Sequence, residues 1–188
     1  MEHEATEPSA FVVSKGRLEM LFDGIFAIAM TILVLELKVP ELADRHSVAE
    51  LARALAHHGA TFASYLLSFV MLGILWYRHN QHYRHLLHVS GPMVAFHLVQ
   101  LAMAAFFPFC AALMGRYPTN RLSAVFYTGC IMVYFWFALL EWVVAQRAGA
   151  IAPGLDVVAL RRERRRSVGG ALVMTAFFAY TLAMALAG

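Results

Sequence analysis

Between Arg17 and Lys38 the sequence reads RLEMLFDGIFAIAMTILVLELK. This run is long enough to cross a bilayer, because a transmembrane helix needs about 20 largely apolar residues. Asp23 lies inside it, where a charged side chain costs about 2.5 to 3.5 kcal/mol and is therefore a functional or structural candidate. The basic start is typical of a secretory signal, but the apolar run is too long and no small-x-small cleavage site follows. We therefore interpret the run as a first membrane helix.

The composition of the whole chain agrees with a membrane protein. Its 188 residues are 61% hydrophobic and only 14% charged, whereas soluble domains are about 45 to 50% apolar and about 25% charged. One globular core of this length cannot bury so much apolar surface. The composition therefore argues against a water-soluble enzyme, and the small net charge of +3 gives no indication of a nucleic-acid partner.

Four further apolar runs of membrane length follow the first. They cover residues 59–77, 93–114, 122–145 and 168–187. Ser47 followed by Glu50 is a capping-box pattern, and it predicts a helix from 47 to about 88 that contains the second run. The sequence thus predicts an all-α integral membrane bundle of five transmembrane helices, with a flexible cytoplasmic tail over 1–16 and a single transmembrane domain over 17–188.

The basic residues predict how the chain is oriented. Ten of the 15 Lys and Arg residues fall on the N-terminal side and in the second and fourth loops, and cytoplasmic loops carry an excess of these residues. We therefore expect a multi-pass protein of the cell membrane with a cytoplasmic N-terminus. The densest basic run, Arg161–Arg166, falls in the polar connection before the last apolar run. It is either a simple positive-inside anchor or a binding segment for anionic lipid headgroups.

A stripe of branched aliphatic residues runs along the predicted first helix. At about 100° per residue, Ile28, Ile32 and Leu35 lie within about 60° of one another. Thr31 lies beside this stripe, and Asp23 faces nearly the opposite way. Periodicity alone favours ordinary bundle packing or lipid contact for such a stripe, because any buried helix shows the same spacing.

The predicted second helix offers hydrogen-bond partners for Asp23. Trp76 and His79 are three residues apart and so share one helical face, at about the depth of Asp23. Together with Arg17, they would satisfy the carboxylate in a polar network that holds the first helix to the second. The alternative is that Trp76 belongs to an interfacial aromatic belt and that His79 faces water.

A series of four histidines, at positions 79, 82, 85 and 88, suggests a metal site at first sight. A constant step of three residues rotates each ring by about 60° relative to the last, so the four do not share one face. We therefore expect solvated interfacial histidines and no metal or haem. A role in sensing pH stays open, because an unperturbed histidine titrates near pH 6.5.

The first helix resembles the signature of the transmembrane protein 175 family, in its prokaryotic branch. That signature is an Arg, then Phe-Ser-Asp, then a run rich in Ala-Ile-Ala-x-Thr. Further motifs of the family follow in the same order on the later helices. The matching segments are Arg17, Asp23, Ala27-Ile28-Ala29-Met30-Thr31, Tyr65-x-x-Ser68-Phe69, Trp76-x-x-His79 and Pro108-Phe109. Two departures are Phe22 in place of the family's serine and five spans in place of the usual six.

The resemblance implies a potassium-permeable cation channel without an enzyme's activity or a cofactor. Prokaryotic members are homotetramers in membrane lipid, and the first helix of every subunit lines the central pore. The Thr-Val-Gly-Tyr-Gly filter of ordinary potassium channels is absent from the family and from this sequence. The family's constricting residues correspond to Ile28, Ile32 and Leu35, and its polar network corresponds to Arg17, Asp23, Trp76 and His79.

Taken together, these features predict a hydrophobic constriction that gates by dewetting. Thr31 adds a hydroxyl beside the aliphatic rings, and potassium ions are the expected permeant species. The alternative is a proton-coupled secondary transporter, in which Asp23 and His79 would form a proton relay. Such a carrier usually has interrupted helices around a site near the midplane, which the sequence does not clearly show.

Overall fold

The computed structural model describes residues 14–152 and 157–187. Six α-helices form this part of the chain, with no strand beyond one isolated bridge between Leu86 and Ile151. They are α1 (Lys15–Ile32), α2 (Val48–His57), α3 (Gly59–Tyr83), α4 (Gly91–Arg116), α5 (Arg121–Arg147) and α6 (Val157–Leu186). All except α2 are long and apolar enough to cross a membrane. The prediction of an all-α membrane bundle with five spans is confirmed.

The first helix changes its winding near its end. α1 begins at Lys15, two residues before the predicted start, and continues after Ile32 as a short 3-10 helix over Leu33–Glu36. A 3-10 helix has three residues per turn, so side chains three apart eclipse one another. Leu35 therefore falls in line with Ile32. Residues 1–13 of the predicted tail lie outside the described residues.

The single helix predicted from 47 to about 88 is wrong. The chain breaks at His58, whose ψ of 9° departs from the roughly −42° of an α-helix, and the next residue is Gly59, a poor helix former. α2 is therefore a separate short helix, and α3 ends at Tyr83.

The predicted capping box at the start of α2 is only half formed. Ser47 Oγ accepts a hydrogen bond from the backbone N–H of Glu50 at 3.2 Å, as expected of an N-cap residue. The Glu50 carboxylate, however, accepts from the backbone N–H groups of Ala43 and Asp44 at 2.8 and 3.1 Å. It thus stabilises the preceding loop and not the cap residue.

The basic run Arg161–Arg166 lies on a helix and not in a connection, which corrects the predicted boundary. α6 begins at Val157, eleven residues before the apolar run in the sequence. Arginine is a good helix former, so the helix extends through the charged segment. Its guanidinium groups are thereby fixed to one rigid element.

The core is formed where the long helices pack in sequence. α1 packs against α3 and α4, α4 packs against α5, and α5 packs against α6. Cys110 and Cys130 are both buried in this core. α3 and α4 approach closely at Gly115, where an added Cβ would lie 3.1 Å from the Cα of Thr61.

Basic residues of several helices lie at one end of the bundle. Lys15 Nζ donates to the carbonyl of Leu86 at 2.9 Å, which joins the start of α1 to the end of α3. The backbone N–H of Leu87 donates to Ala150 O at 2.8 Å, which adds the end of α5. The Arg78 guanidinium reaches the carbonyl of Arg166 at 3.5 Å, which adds the start of α6. We name this end the basic end of the bundle.

Candidate functional site: an uncovered helix face and a buried polar network

The face of α1 that carries the aliphatic stripe is uncovered. The side chains of Ile28, Ile32 and Leu35 are 59%, 43% and 70% exposed. The opposite face of the same helix is buried in the bundle through five residues. These are Leu18, Phe22, Phe26, Ala29 and Leu33. The stripe is therefore not part of the core of this chain, which removes the packing interpretation that periodicity alone had favoured.

Thr31 lies beside the stripe but uses its hydroxyl within the helix. Its Oγ1 lies 2.8 Å from the carbonyl oxygen of Ile28 and 3.0 Å from that of Ala27. The hydroxyl proton is thus donated to the backbone of the preceding turn. Only the oxygen lone pairs remain to face the uncovered side.

Two of the four predicted network residues lie in direct contact. The indole Nε1 of Trp76 donates to Asp23 Oδ1 at 2.8 Å, so α3 holds α1 through this bond. The bond lies at an exposed position. The Arg17 side chain is also exposed, and it makes no hydrogen bond or ion pair with any residue that the structure describes. The structure thus places a pair here, and not the predicted group of four.

His79 makes no hydrogen bond with Asp23, which corrects the expected network. Its ring stacks on Phe22 with 3.3 Å between ring centroids and 10° between ring planes, and the residue is only 5% exposed. Phe22 stands where the family pattern has serine. This stacking places the His79 ring in the core beside α1. His82 is buried as well, so the expectation of solvated histidines is wrong for both.

A buried polar network around Glu141 was missed by the sequence analysis. Glu141 is 1% exposed, and its carboxylate accepts from the Tyr83 hydroxyl at 2.9 Å and from the Gln100 amide at 2.6 Å. His97 Nδ1 lies 2.8 Å from the same Tyr83 hydroxyl. Since that hydroxyl gives its proton to Glu141, Nδ1 of His97 is the donor in this contact. The network joins α3, α4 and α5 inside the bundle.

Buried polar atoms without a partner lie in this network and beside it. The Nε2 atoms of His79, His82 and His97 are buried and make no hydrogen bond among the described residues. A cavity of about 20 Å³, lined by His79, His82, Gln100 and Glu141 among others, is large enough for about one water molecule. No group of three or more metal-ligating side chains comes together in the described ranges.

The sequence did carry a signal for this network. Glu141 is a charged residue inside a predicted span, and the rule that singled out Asp23 applies to it equally. His97 and Gln100 are three residues apart on α4 and so share one face. The pairing of these residues across three helices is a tertiary feature, which spacing along one helix does not reveal.

The fold and the uncovered stripe define an integral membrane protein of the helical-bundle class. The family model described as the endosomal/lysosomal potassium channel TMEM175 matches residues 17–108. A protein of Streptomyces collinus named as a potassium channel is 30% identical over 162 residues, which cover 84% of this chain and 77% of that relative. The chain belongs to the TMEM175 family.

Further relatives include an animal protein and a solved structure. A Danio rerio protein named endosomal/lysosomal proton channel TMEM175 is 32% identical over 143 residues, which cover 71% of this chain but only 27% of that protein. The crystal structure of a lysosomal potassium-selective channel TMEM175 homologue from Chamaesiphon minutus superposes with a TM-score of 0.62 and 27% identity. That match covers 88% of this chain and 96% of the other.

Family membership confirms three expectations from the sequence. The predicted resemblance is correct, the fold is that of a channel subunit, and the family is one of ion channels and not of enzymes. An ion channel works without a cofactor, so membership of the family also supports the expectation that this chain needs none.

Proposed function

We propose that this chain forms a potassium-permeable cation channel whose pore is lined by the first helix of every subunit. The observation that carries this proposal is the uncovered face of α1, where Ile28, Ile32 and Leu35 are all exposed in the single chain. A helix whose one face is packed and whose other face is bare needs lipid, another subunit or a pore on the bare side. The names of the prokaryotic relatives favour the pore.

The constriction follows from the spacing of the three aliphatic residues. In this proposal one residue from each subunit forms a ring. The 3-10 turn after Ile32 supports it, because residues three apart in such a turn share one side of the helix. A narrow apolar neck excludes water, so an ion entering it loses hydration without gaining ligands. Widening the neck admits a partly hydrated ion. The exposed oxygen of Thr31 contributes a single weak ligand at the edge of the rings.

The proposed assembly is a homotetramer in the cell membrane, with the N-terminus in the cytoplasm. The support for this orientation is the basic end of the bundle, because cytoplasmic loops carry an excess of Lys and Arg. In this assembly the Asp23–Trp76 pair holds each pore helix to α3 of its own subunit. Arg17 lies at the same end, and His79 supports the pore helix by stacking on Phe22.

A second candidate is a proton-coupled or proton-conducting protein. The Danio rerio relative is named a proton channel, and the Glu141 network supplies buried titratable groups within the membrane spans. Intramembrane chains of Glu and His are typical of proton relays. The relay predicted from Asp23 and His79 lacks support, since no hydrogen bond joins the two residues.

The decisive experiment is recording from the purified protein in a planar bilayer, with potassium, sodium and proton gradients imposed in turn. For the potassium channel, the reversal potential follows the potassium gradient. We expect Ile28→Asn to raise conductance and to reduce the preference for potassium over sodium, because a polar ring keeps the neck wet. The matched control is Leu66→Asn on α3, which is 61% exposed and should leave currents unchanged.

The outcomes separate the candidates. A reversal potential that follows only the proton gradient favours the second candidate. Saturable, slow flux without single-channel steps favours a carrier. Unchanged currents in a well-folded Ile28→Asn variant contradict the assignment of the pore to this face of α1.

A further inference from the structure

Four arginines on the first turns of α6 form an open cationic groove. Arg161, Arg162, Arg165 and Arg166 line it together. At about 100° per residue, the four positions fall within about 140° of the helix circumference. All four side chains are exposed. We name these four residues the arginine groove.

The groove has no counter-charge in the part of the chain that the structure describes. None of its four guanidinium groups makes a side-chain hydrogen bond or an ion pair there. The nearby acid Glu163 faces away, because it lines the small cavity beside Arg78 and Glu141 on the inner side of α6. Four neighbouring cations repel one another, and an anionic group bound among them offsets this repulsion. Guanidinium groups bind phosphate oxygens in pairs, through two parallel N–H donors.

The same face of α6 continues below the groove as an exposed apolar surface. Leu172, Val173 and Phe177 are 57%, 60% and 53% exposed. On the helix they lie within the same half of the circumference as the arginines, and the apolar surface begins about 10 Å along the axis from Arg165. Between them stands Gly169, where an added Cβ would meet no other atom within 4 Å. The arginine groove, Gly169 and the apolar surface therefore form one continuous strip along α6.

We propose that this strip is a binding site for an anionic phospholipid. The phosphate of the headgroup lies in the arginine groove, and an acyl chain passes over Gly169 onto Leu172, Val173 and Phe177. A soluble phosphate would use only the groove, whereas a phospholipid uses the groove and the apolar surface together. The placement at the basic end agrees with a lipid of the leaflet that this end faces, because the groove lies where α6 leaves its apolar span.

The first test measures lipid binding to the full-length protein after delipidation in detergent. Binding of phosphatidylglycerol and of phosphatidylcholine is titrated by native mass spectrometry. We expect the wild-type protein to prefer phosphatidylglycerol, and Arg162→Gln/Arg165→Gln to weaken its binding by roughly tenfold or more, since each Arg near an anionic headgroup contributes substantially. The control Arg84→Gln/Arg147→Gln removes the same charge from exposed positions at the same end and should change binding by less than about twofold.

A second variant tests whether the apolar part of the strip is used. Gly169→Leu adds no charge but fills the passage between the groove and the apolar surface. We expect it to weaken phosphatidylglycerol binding several-fold while binding of inorganic phosphate stays unchanged. Thermal unfolding of each variant checks that the fold is retained.

The proposal is overturned by any of three results. The first is equal binding of the two lipids to the wild-type protein. The second is an equal loss in the control double variant, which would show a general charge effect. The third is inorganic phosphate competing fully with the lipid while Gly169→Leu has no effect, which would show a site for a soluble phosphate.

Discussion

The two faces of α1 have nearly the same hydrophobicity but opposite surroundings. One face carries Phe22 and Phe26, which are 0% and 1% exposed and stack on each other at 4.3 Å. The other face carries Ile28 and Ile32, which are 59% and 43% exposed. In a soluble protein the bare face would be polar. In a membrane both faces are apolar, so hydrophobicity does not tell which one is the core.

The difference between the faces lies in residue shape. The packed face uses aromatic rings that interlock with His79 and Tyr134, whereas the bare face uses branched aliphatic residues at regular spacing. Aromatic side chains bury a large area and prefer specific orientations against their neighbours. Branched residues with stiff χ1 angles form a smooth, rigid surface instead. This distinction suits a helix that packs on one side and forms a constriction on the other.

The largest effect is expected on the packed face. Phe26→Ala should lower the free energy of unfolding by about 3 to 5 kcal/mol, because it leaves a cavity beside Phe22 and Tyr134. Ile28→Ala, two residues away on the bare face, should lower it by about 0.5 kcal/mol. Unfolding of both variants in mixed micelles, by titration with a denaturing detergent, measures the two values. Equal losses would show that the bare face is packed as tightly as the core.

Much of this fold was predictable from the sequence, because each span is a long apolar run bounded by polar residues. The break at His58 was not predictable, since α2 and α3 both have helix-forming sequences and only the backbone at one residue separates them. The start of α6 at Val157 was also missed, because charge was taken to mark a loop although arginine favours a helix. Local patterns thus predicted the spans but not the residues at which each helix begins and ends.

The candidate site was predictable only in part. Spacing grouped Ile28, Ile32 and Leu35, but the choice between core and pore came from the family resemblance and not from periodicity. The Asp23–Trp76 contact followed from depth and chemistry. The position of His79 did not follow, because its ring stacks on Phe22 of the neighbouring helix. An effect of this kind acts between helices and leaves no trace in the spacing along either one.

A pair of adjacent cysteine substitutions compares the two faces at one depth. Ile32 is 43% exposed and Leu33 is 1% exposed. Ile32→Cys should react with a charged, water-soluble thiol reagent roughly tenfold faster than Leu33→Cys or more, because a thiol must be ionised and accessible to react. The native Cys110 and Cys130 are buried and give little background. Inhibition of current during modification provides the measurement.

This experiment also separates a pore from a lipid contact. A thiol facing lipid is not ionised and is not reached by a charged reagent. If the Ile32→Cys protein stays unmodified in bilayers while it conducts ions but reacts after unfolding, the bare face contacts lipid, and the pore must lie elsewhere.

A small effect, well below that of Phe26→Ala, is expected at the contact that joins α1 to α3. Asp23→Ala removes the acceptor of the Trp76 indole N–H, a bond of 2.8 Å at an exposed position. Because solvent screens and replaces such a bond, the loss in the free energy of unfolding should be about 1 kcal/mol. We expect weaker assembly and lower expression, with the ion selectivity of the surviving channels unchanged. Size-exclusion chromatography and bilayer recording of the same preparation measure the two properties.

Trp76→Phe keeps the aromatic ring but removes the donor, so the double variant should lose no more than either single variant if the bond is responsible. A fully assembled Asp23→Ala channel with altered selectivity would instead place the carboxylate along the path of the ions.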